Sequence, residues 1–215
     1  MSTDGLRYLE SESAAEANWL ELDRSPHALQ FYSGDDFLLD SLARFITTAL
    51  EAGDSVFVLA TPVHLNGVAE RLRTQGVDTD TAARKGRYVA VNALEVLARL
   101  TVDGELNRGS FDEFIREVFL PLEAAAESKP KTVAVCGEVV SLLWAEGKAE
   151  AAIELEHLWN EVAERINCRL RCFYPIASFP DPVKNDLFLK LCAEHAAVIP
   201  HHRHPHIVAA PDKVG

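Results

Sequence analysis

Residues 131–174 read KTVAVCGEVVSLLWAEGKAEAAIELEHLWNEVAERINCRLRCFY. Thr132 to Gly137 is a short apolar, β-rich run that stops at Gly137-Glu138. After the Trp144-Ala145-Glu146-Gly147 break, Ala151, Leu155, Leu158, Val162 and Ile166 recur every three or four residues. That spacing predicts a helix with those five side chains along one stripe, flanked by Trp159 and Ala163. Glu154, His157, Glu161 and Glu164 then face away. A second β-rich run, Arg169 to Tyr174, follows at once. Two short strands bracketing a helix long enough to cross a sheet make a βαβ unit, which predicts parallel strands.

The same stretch carries three patterns: G-E-x-V-x-L-L-W-x-E-G at Gly137 to Gly147, A-A-x-x-L-E-x-L-W-N-E at Ala151 to Glu161, and C-x-Y-P-x-x-x-F at Cys172 to Phe179. H-A-L-Q-F-Y at His27 to Tyr32 precedes them, and L-C-A-E-H-A-A-V-I-P at Leu191 to Pro200 follows. Together these resemble the MEDS family, the sensory domain named for methanogens, methylotrophs and the dichloromethane regulator DcmR. The likeness runs over residues 25–200, in order. It implies sensing of small hydrocarbon derivatives by a domain often fused to histidine kinases or DNA-binding domains.

Working outward, His27 to Tyr32 reads as a strand, and Ser33-Gly34-Asp35-Asp36 offers turn and N-cap chemistry before a helix marked by Phe37, Leu38, Leu42, Phe45, Ile46 and Ala49. Ser55 to Ala60 is a near-continuous apolar strand, the pattern of one buried on both faces. Pro62 suits the first turn of the helix after it, whose apolar face includes Val68 and Leu72. Residues 76–86 read as a polar connection, Arg87 to Asn92 as a strand, Ala93 to Leu100 as a short helix, 103–109 as a loop and Ser110 to Ser128 as a longer helix. A last helix is expected at about Val183 to Ala196, followed by a tail. This rhythm predicts an α/β domain in three layers, a mainly parallel sheet flanked by helices. The expected organisation is a flexible lead-in at 1–24, one sensory domain at 25–200, and a His-rich tail at 201–215.

With 21 basic and 33 acidic residues the net charge is −12, and no Lys/Arg cluster stands out. Direct binding to nucleic acid or to an anionic membrane is therefore disfavoured. No apolar run reaches membrane-spanning length, and the acidic, Ser-rich N-terminus is unlike a signal peptide. A cytoplasmic location is expected, and the four cysteines, Cys136, Cys168, Cys172 and Cys192, are expected to be reduced core thiols.

Ligands of open parallel sheets bind outside the carboxyl ends of the strands. Those ends supply the candidate ligand-binding residues Tyr32, Ser33, Thr61, Asn92, Glu138 and Tyr174. Glu138 is the most pointed, because a carboxylate after an apolar strand must find water, a donor or a ligand; its plainer role is as a cap or first-turn acid of the next helix. Tyr32 and Tyr174 read more simply as rim residues closing the core. His27, at the start of its strand, falls at the opposite edge, about 15 Å from Tyr32, and reads as structural. Trp144 and Trp159 read as core residues, and Glu156 and Asn160 border the apolar stripe.

The order strand, turn, helix, strand from Phe31 to Ala60 is similar to the core of RecA-like and KaiC-type ATPases, whose first turn cradles phosphates. Here that turn is Tyr-Ser-Gly-Asp-Asp-Phe, without G-x-x-x-x-G-K-[ST] and with two acids that repel phosphate. A degenerate, non-hydrolysing relative follows. Neither G-x-S-x-G nor H-E-x-x-H occurs. The tail histidines His201, His202, His204 and His206 read as solvated. No catalytic residue, cofactor or metal is expected.

These readings favour a stand-alone sensory module that binds a small organic ligand or a partner protein and acts in trans on a histidine kinase or transcription regulator, with self-association into a homo-oligomer as a further expectation. The competing readings are an NTPase-like or transferase enzyme with an unconventional site, and a scaffold for a kinase or anti-sigma-type regulator.

Overall fold

The βαβ unit read from residues 131–174 is present, with its two strands adjacent and parallel. The computed structural model describes residues 25–179 and 186–199. Strand β1 is His27–Tyr32, α1 Asp35–Glu51, β2 Ser55–Ala60, α2 Pro62–Thr74, α3 Thr79–Arg84 and β3 Tyr88–Asn92. Then come α4 Ala93–Leu100, β4 Thr101–Val102, β5 Glu105–Leu106, α5 Arg108–Ala125 and β6 Val133–Gly137. Helices α6 Val139–Ala145 and α7 Ala149–Arg165, strand β7 Cys168–Pro175, helix α8 Asp186–Ala193 and strand β8 Ala197–Ile199 complete the order. The expected lead-in at 1–24 and tail at 201–215 lie outside the described residues.

Six strands form one sheet in the order β3-β2-β6-β7-β1-β8, and every pairing in it is parallel. Strands β2 and β6 are apolar on both sides because helices cover both faces. Every residue of β1 and of β2 is buried. On one face Val56, Val58, Ala134, Cys136 and Phe173 pack against Leu38, Leu42, Ile46, Val68 and Leu72 of α1 and α2. On the other Phe57, Leu59, Val135 and Leu170 meet Phe111, Phe119, Leu155 and Trp159 of α5 and α7. Phe111 and Phe119 sit 5.4 and 5.7 Å from the Trp159 ring, so the tryptophan is a core residue, as its helix position predicts.

Five short elements escaped the sequence reading. Helix α3 lies inside the polar 76–86 connection, where Asp78 accepts from the Thr81 amide at 2.9 Å and caps a single turn and a half. The 103–109 loop turns a two-rung hairpin, with β4 just before it and β5 inside it, through Asp103 and Gly104 in the left-handed region. Asn107 caps α5, accepting from the Ser110 amide, so that helix begins two residues early, at Arg108. Helix α6 occupies the segment before the Gly147 break, and β8 adds an edge strand beside β1 after α8.

The topology fixes where a site can form. From β2 the chain proceeds to β3 on one side, and from β6 to β7 on the other. The crevice outside the carboxyl ends of β2 and β6 is therefore the switch point at which α/β sheets bind ligands.

Candidate functional site

Gly137 ends β6 with its Cα in register with Leu59 of β2 and Cys172 of β7. The backbones crowd here: a Cβ on Gly137 would lie 2.0 Å from the Leu59 carbonyl oxygen, so only glycine fits. The amide of Glu138 donates to that same carbonyl at 2.9 Å, which holds the turn across the switch point. Glu138 stands at the N-cap position of α6 but makes no side-chain cap there. Its carboxylate reaches instead to the start of α2. Oε1 accepts from the Thr61 amide at 2.8 Å, and both oxygens lie 2.8 Å from His64 Nδ1. Glu138 is only 4 % exposed, and these donors, with the positive end of the α2 dipole, compensate its burial.

His64 was not legible as a site residue, because a lone histidine in the first turn of a helix carries no pattern. It is the part of this arrangement that solvent reaches. A carboxylate can only accept, so Nδ1–H donates to Glu138, and Nε2 points the other way, 3.6 Å from Asp35 Oδ1. Tyr32 belongs to the same constellation: burial, then the charges of Glu138 and Asp35, push its phenol above the ordinary range. Tyr32, Thr61 and Glu138 are thus brought together, and Asp35 and His64 join them. Ser33 follows β1 at the same sheet edge and is exposed.

Two other candidates point elsewhere. Asn92 caps α4, accepting from the Leu94 amide at 3.0 Å and donating to Glu95 at 3.1 Å. Tyr174 is fully buried, and its hydroxyl donates to Glu156 Oε1 at 2.9 Å, on the α7 side of the sheet. Glu156 gathers a second constellation, with His27, Cys172 and His195 around its carboxylate. His27 does sit at the amino end of β1, as its position predicts, and it is 2 % exposed.

Two surface clefts lie away from the carboxyl edge. One, of ≈ 410 Å³, is lined by α5 and the end of α7 around Ile115, Leu120 and Ile166. The other, of ≈ 350 Å³, lies among Leu50, Val77, Lys85 and Arg87. A cavity of ≈ 20 Å³ sits under the switch point, lined by Leu59, Gly137, Val140, Trp159 and Cys172, room for about one water molecule. Burial pushes the Cys168 and Cys192 thiols up to about 12, which keeps them protonated and unreactive. All four cysteines are free of disulfides.

The model of the MEthanogen/methylotroph, DcmR Sensory domain matches residues 26–189, more than half of the chain. The chain belongs to the MEDS family. No curated protein and no solved structure matches it. The match spans β1 to α8, so the Glu138–His64 pair at the switch point lies inside the MEDS domain. Among the described residues no helix is long and apolar enough to cross a membrane.

Proposed function

We propose that this MEDS domain is a cytoplasmic, non-catalytic signalling module that senses a small organic ligand at the carboxyl edge of its sheet. The observation that carries the proposal is the line Glu138–His64–Asp35. A buried carboxylate fixes one imidazole nitrogen at 2.8 Å and leaves the other facing a surface acid across the switch point. Such a histidine is oriented and polarised without being consumed by the fold, the state suited to a single polar contact with a small ligand. Tyr32 and Thr61 flank it. Because Glu138 ties the start of α2 to the start of α6, a ligand that draws on His64 alters the tie between two helices on opposite faces of the sheet. That tie is the physical basis for passing a signal to a partner such as a histidine kinase or transcription regulator, or to a second copy in a homo-oligomer.

We also place the domain among degenerate RecA/KaiC-like folds. In support, the turn after β1 carries Asp35 and Asp36 where a phosphate cradle needs donors and a lysine. Asp36 and Asp40 pair instead with Arg71, at 2.7 and 2.6 Å.

Native mass spectrometry of the full chain, followed by calorimetric titration with one- and two-carbon alcohols and halides, tests the reading. Binding of a panel member that is lost in His64→Ala, with the fold retained by circular dichroism, is the expected result. Binding that survives both His64→Ala and Glu138→Gln, or Mg-ATP binding at micromolar affinity, overturns it.

A further inference from the structure

The second constellation lies on the other side of the sheet from α2 and is independent of the sensory reading. Its four residues come from the start of β1 (His27), the middle of α7 (Glu156), the middle of β7 (Cys172) and the link between α8 and β8 (His195). Glu156 is 0 % exposed and both histidines are 2 % exposed. One ligand-type atom from each residue lies within 4.8 Å of all the others. Glu156 Oε2 stands 3.2 Å from His27 Nε2 and 3.2 Å from Cys172 Sγ; His27 Nε2 and Cys172 Sγ are 3.4 Å apart; His195 Nε2 is 3.4 Å from Glu156 Oε1. A tetrahedral ion with bonds of about 2.0–2.3 Å has edges of about 3.3–3.6 Å between its ligand atoms. The three separations among His27 Nε2, Cys172 Sγ and Glu156 Oε2 are close to that size, and His195 Nε2, nearest the other carboxylate oxygen, completes a group that a small side-chain adjustment would close on one ion.

The outer partners settle which nitrogens face inward. Asn160 uses its amide NH₂ on Glu194, donating to the backbone carbonyl at 2.8 Å and to Oε2 at 3.0 Å. Its Oδ1 therefore faces His27 Nδ1, 2.8 Å away, and that nitrogen must be the donor. The Leu191 carbonyl does the same for His195 Nδ1 at 2.9 Å. Both imidazoles are thus held with Nε2 as the acceptor toward the cluster, the orientation that a metal-bound histidine takes from its outer partner. Tyr174 donates to Glu156 Oε1 and steadies the carboxylate. His195 Nε2 is buried and meets no hydrogen-bond partner among the described residues. Two lone pairs converging on a buried carboxylate need a cation. The two rings lie side by side, with centroids 4.2 Å apart, so both nitrogens can reach one ion.

We propose that His27, Glu156, Cys172 and His195 form a tetrahedral site for a divalent transition-metal ion, with zinc the best fit to two imidazoles, one thiolate and one carboxylate. On binding, the Cys172 thiol loses its proton to solvent and becomes a ligand. Cys172, the half-buried member, marks the side from which the ion enters. The ion joins the α8–β8 segment to β1, β7 and α7, so loading stabilises the end of the domain.

The test uses the full chain, stripped with chelator and titrated with Co²⁺ and Zn²⁺. The His-rich tail is controlled by a variant with His201, His202, His204 and His206 changed to alanine. The expected result is one equivalent of Co²⁺ with a thiolate-to-cobalt charge-transfer band in both wild type and tail variant. That band is lost in Cys172→Ser, and the melting temperature rises on adding Zn²⁺. Glu156→Gln, which keeps the acceptor for Tyr174, should weaken binding at least tenfold in a folded protein. Absence of the thiolate band in the wild type overturns the proposal whatever the variants do. So does Co²⁺ binding that disappears with the tail histidines.

Discussion

Gly137→Ala is the most direct test of how the sheet builds its switch point. The alanine Cβ would stand 2.0 Å from the Leu59 carbonyl oxygen and 2.8 Å from its carbon, where real Cβ atoms keep to 3.0 Å or more. Both obstacles are backbone in a buried strand, so no rotamer change relieves them; β2 and β6 must part by about an ångström at this rung. Overpacking of that kind costs about 1–3 kcal/mol. The displaced carbonyl also receives the Glu138 amide, and leaving that pair unmade adds about 1–3 kcal/mol. The sum, about 2–6 kcal/mol, lowers the urea midpoint by about 1–2 M for a domain of this size, with an unchanged slope. Gly34→Ala is the matched control: its φ of 91° with ψ of 145° strains any other residue, but nothing lies within 4 Å of its Cβ position, so its cost is only backbone strain of about 1–3 kcal/mol. A Gly137→Ala midpoint at or above that of Gly34→Ala would refute the close approach of the two strands, and with it the geometry that aims Glu138 at α2.

Leu158→Ala should lose about 2–5 kcal/mol in chemical denaturation, since Leu158 is 2 % exposed in the middle of α7; an unchanged midpoint would mean that α7 presents a different face. Asn92→Ala should cost about 1 kcal/mol through loss of the α4 cap and leave ligand titrations untouched; altered binding would put Asn92 in the site after all. Tyr88 governs part of the alkaline limit. Burial, then Cys136, pushes its phenol up to about 12, so the folded state holds this proton more tightly than the unfolded chain. That contribution is fully present below pH ~10 and is lost, to about 2–3 kcal/mol, as pH rises toward 12. Tyr88→Phe should accordingly flatten the fall in stability over that window, and an unchanged alkaline profile would show that Tyr88 is not its source.

The fold was legible because its signals are local. The β-type run at His27 to Tyr32 and the near-continuous apolar run at Ser55 to Ala60 coincide with β1 and β2 residue for residue, the second because a strand covered on both faces is apolar on both. The helices with long apolar stripes were equally readable. The missed elements are those whose existence depends on a single cap or on pairing with a distant strand: α3 on Asp78, β8 on β1. The carboxyl-edge candidates were chosen by topology alone, and topology gathers Tyr32, Thr61 and Glu138 while saying nothing of rotamers. It therefore could not tell that Tyr174 turns inward or that Asn92 spends its side chain on a cap.

The buried constellation shows where a sequence signal existed and was too weak on its own. Ala152, Leu155, Glu156 and Trp159 fall at i, i+3, i+4 and i+7, the core side of α7, so a carboxylate occupies a position that the helical period reserves for apolar residues. A charge there demands partners, but the period cannot say which. The partners lie at 27, 172 and 195, brought together by the parallel pairing of β1 with β7, by Ala196 donating to the His27 carbonyl at 2.9 Å, and by α8 packing on α7. His27 looked structural from its place at the amino end of a strand, and that place is what delivers it, since α7 runs antiparallel to the strands and presents Glu156 between β1 and β7. Gly137 and Cys172 are register partners on β6 and β7. One sheet rung therefore carries both the turn that aims Glu138 toward α2 and the thiol that faces Glu156, and each side of the sheet has a buried carboxylate that draws a histidine from a distant part of the chain, His64 for Glu138 and His27 for Glu156.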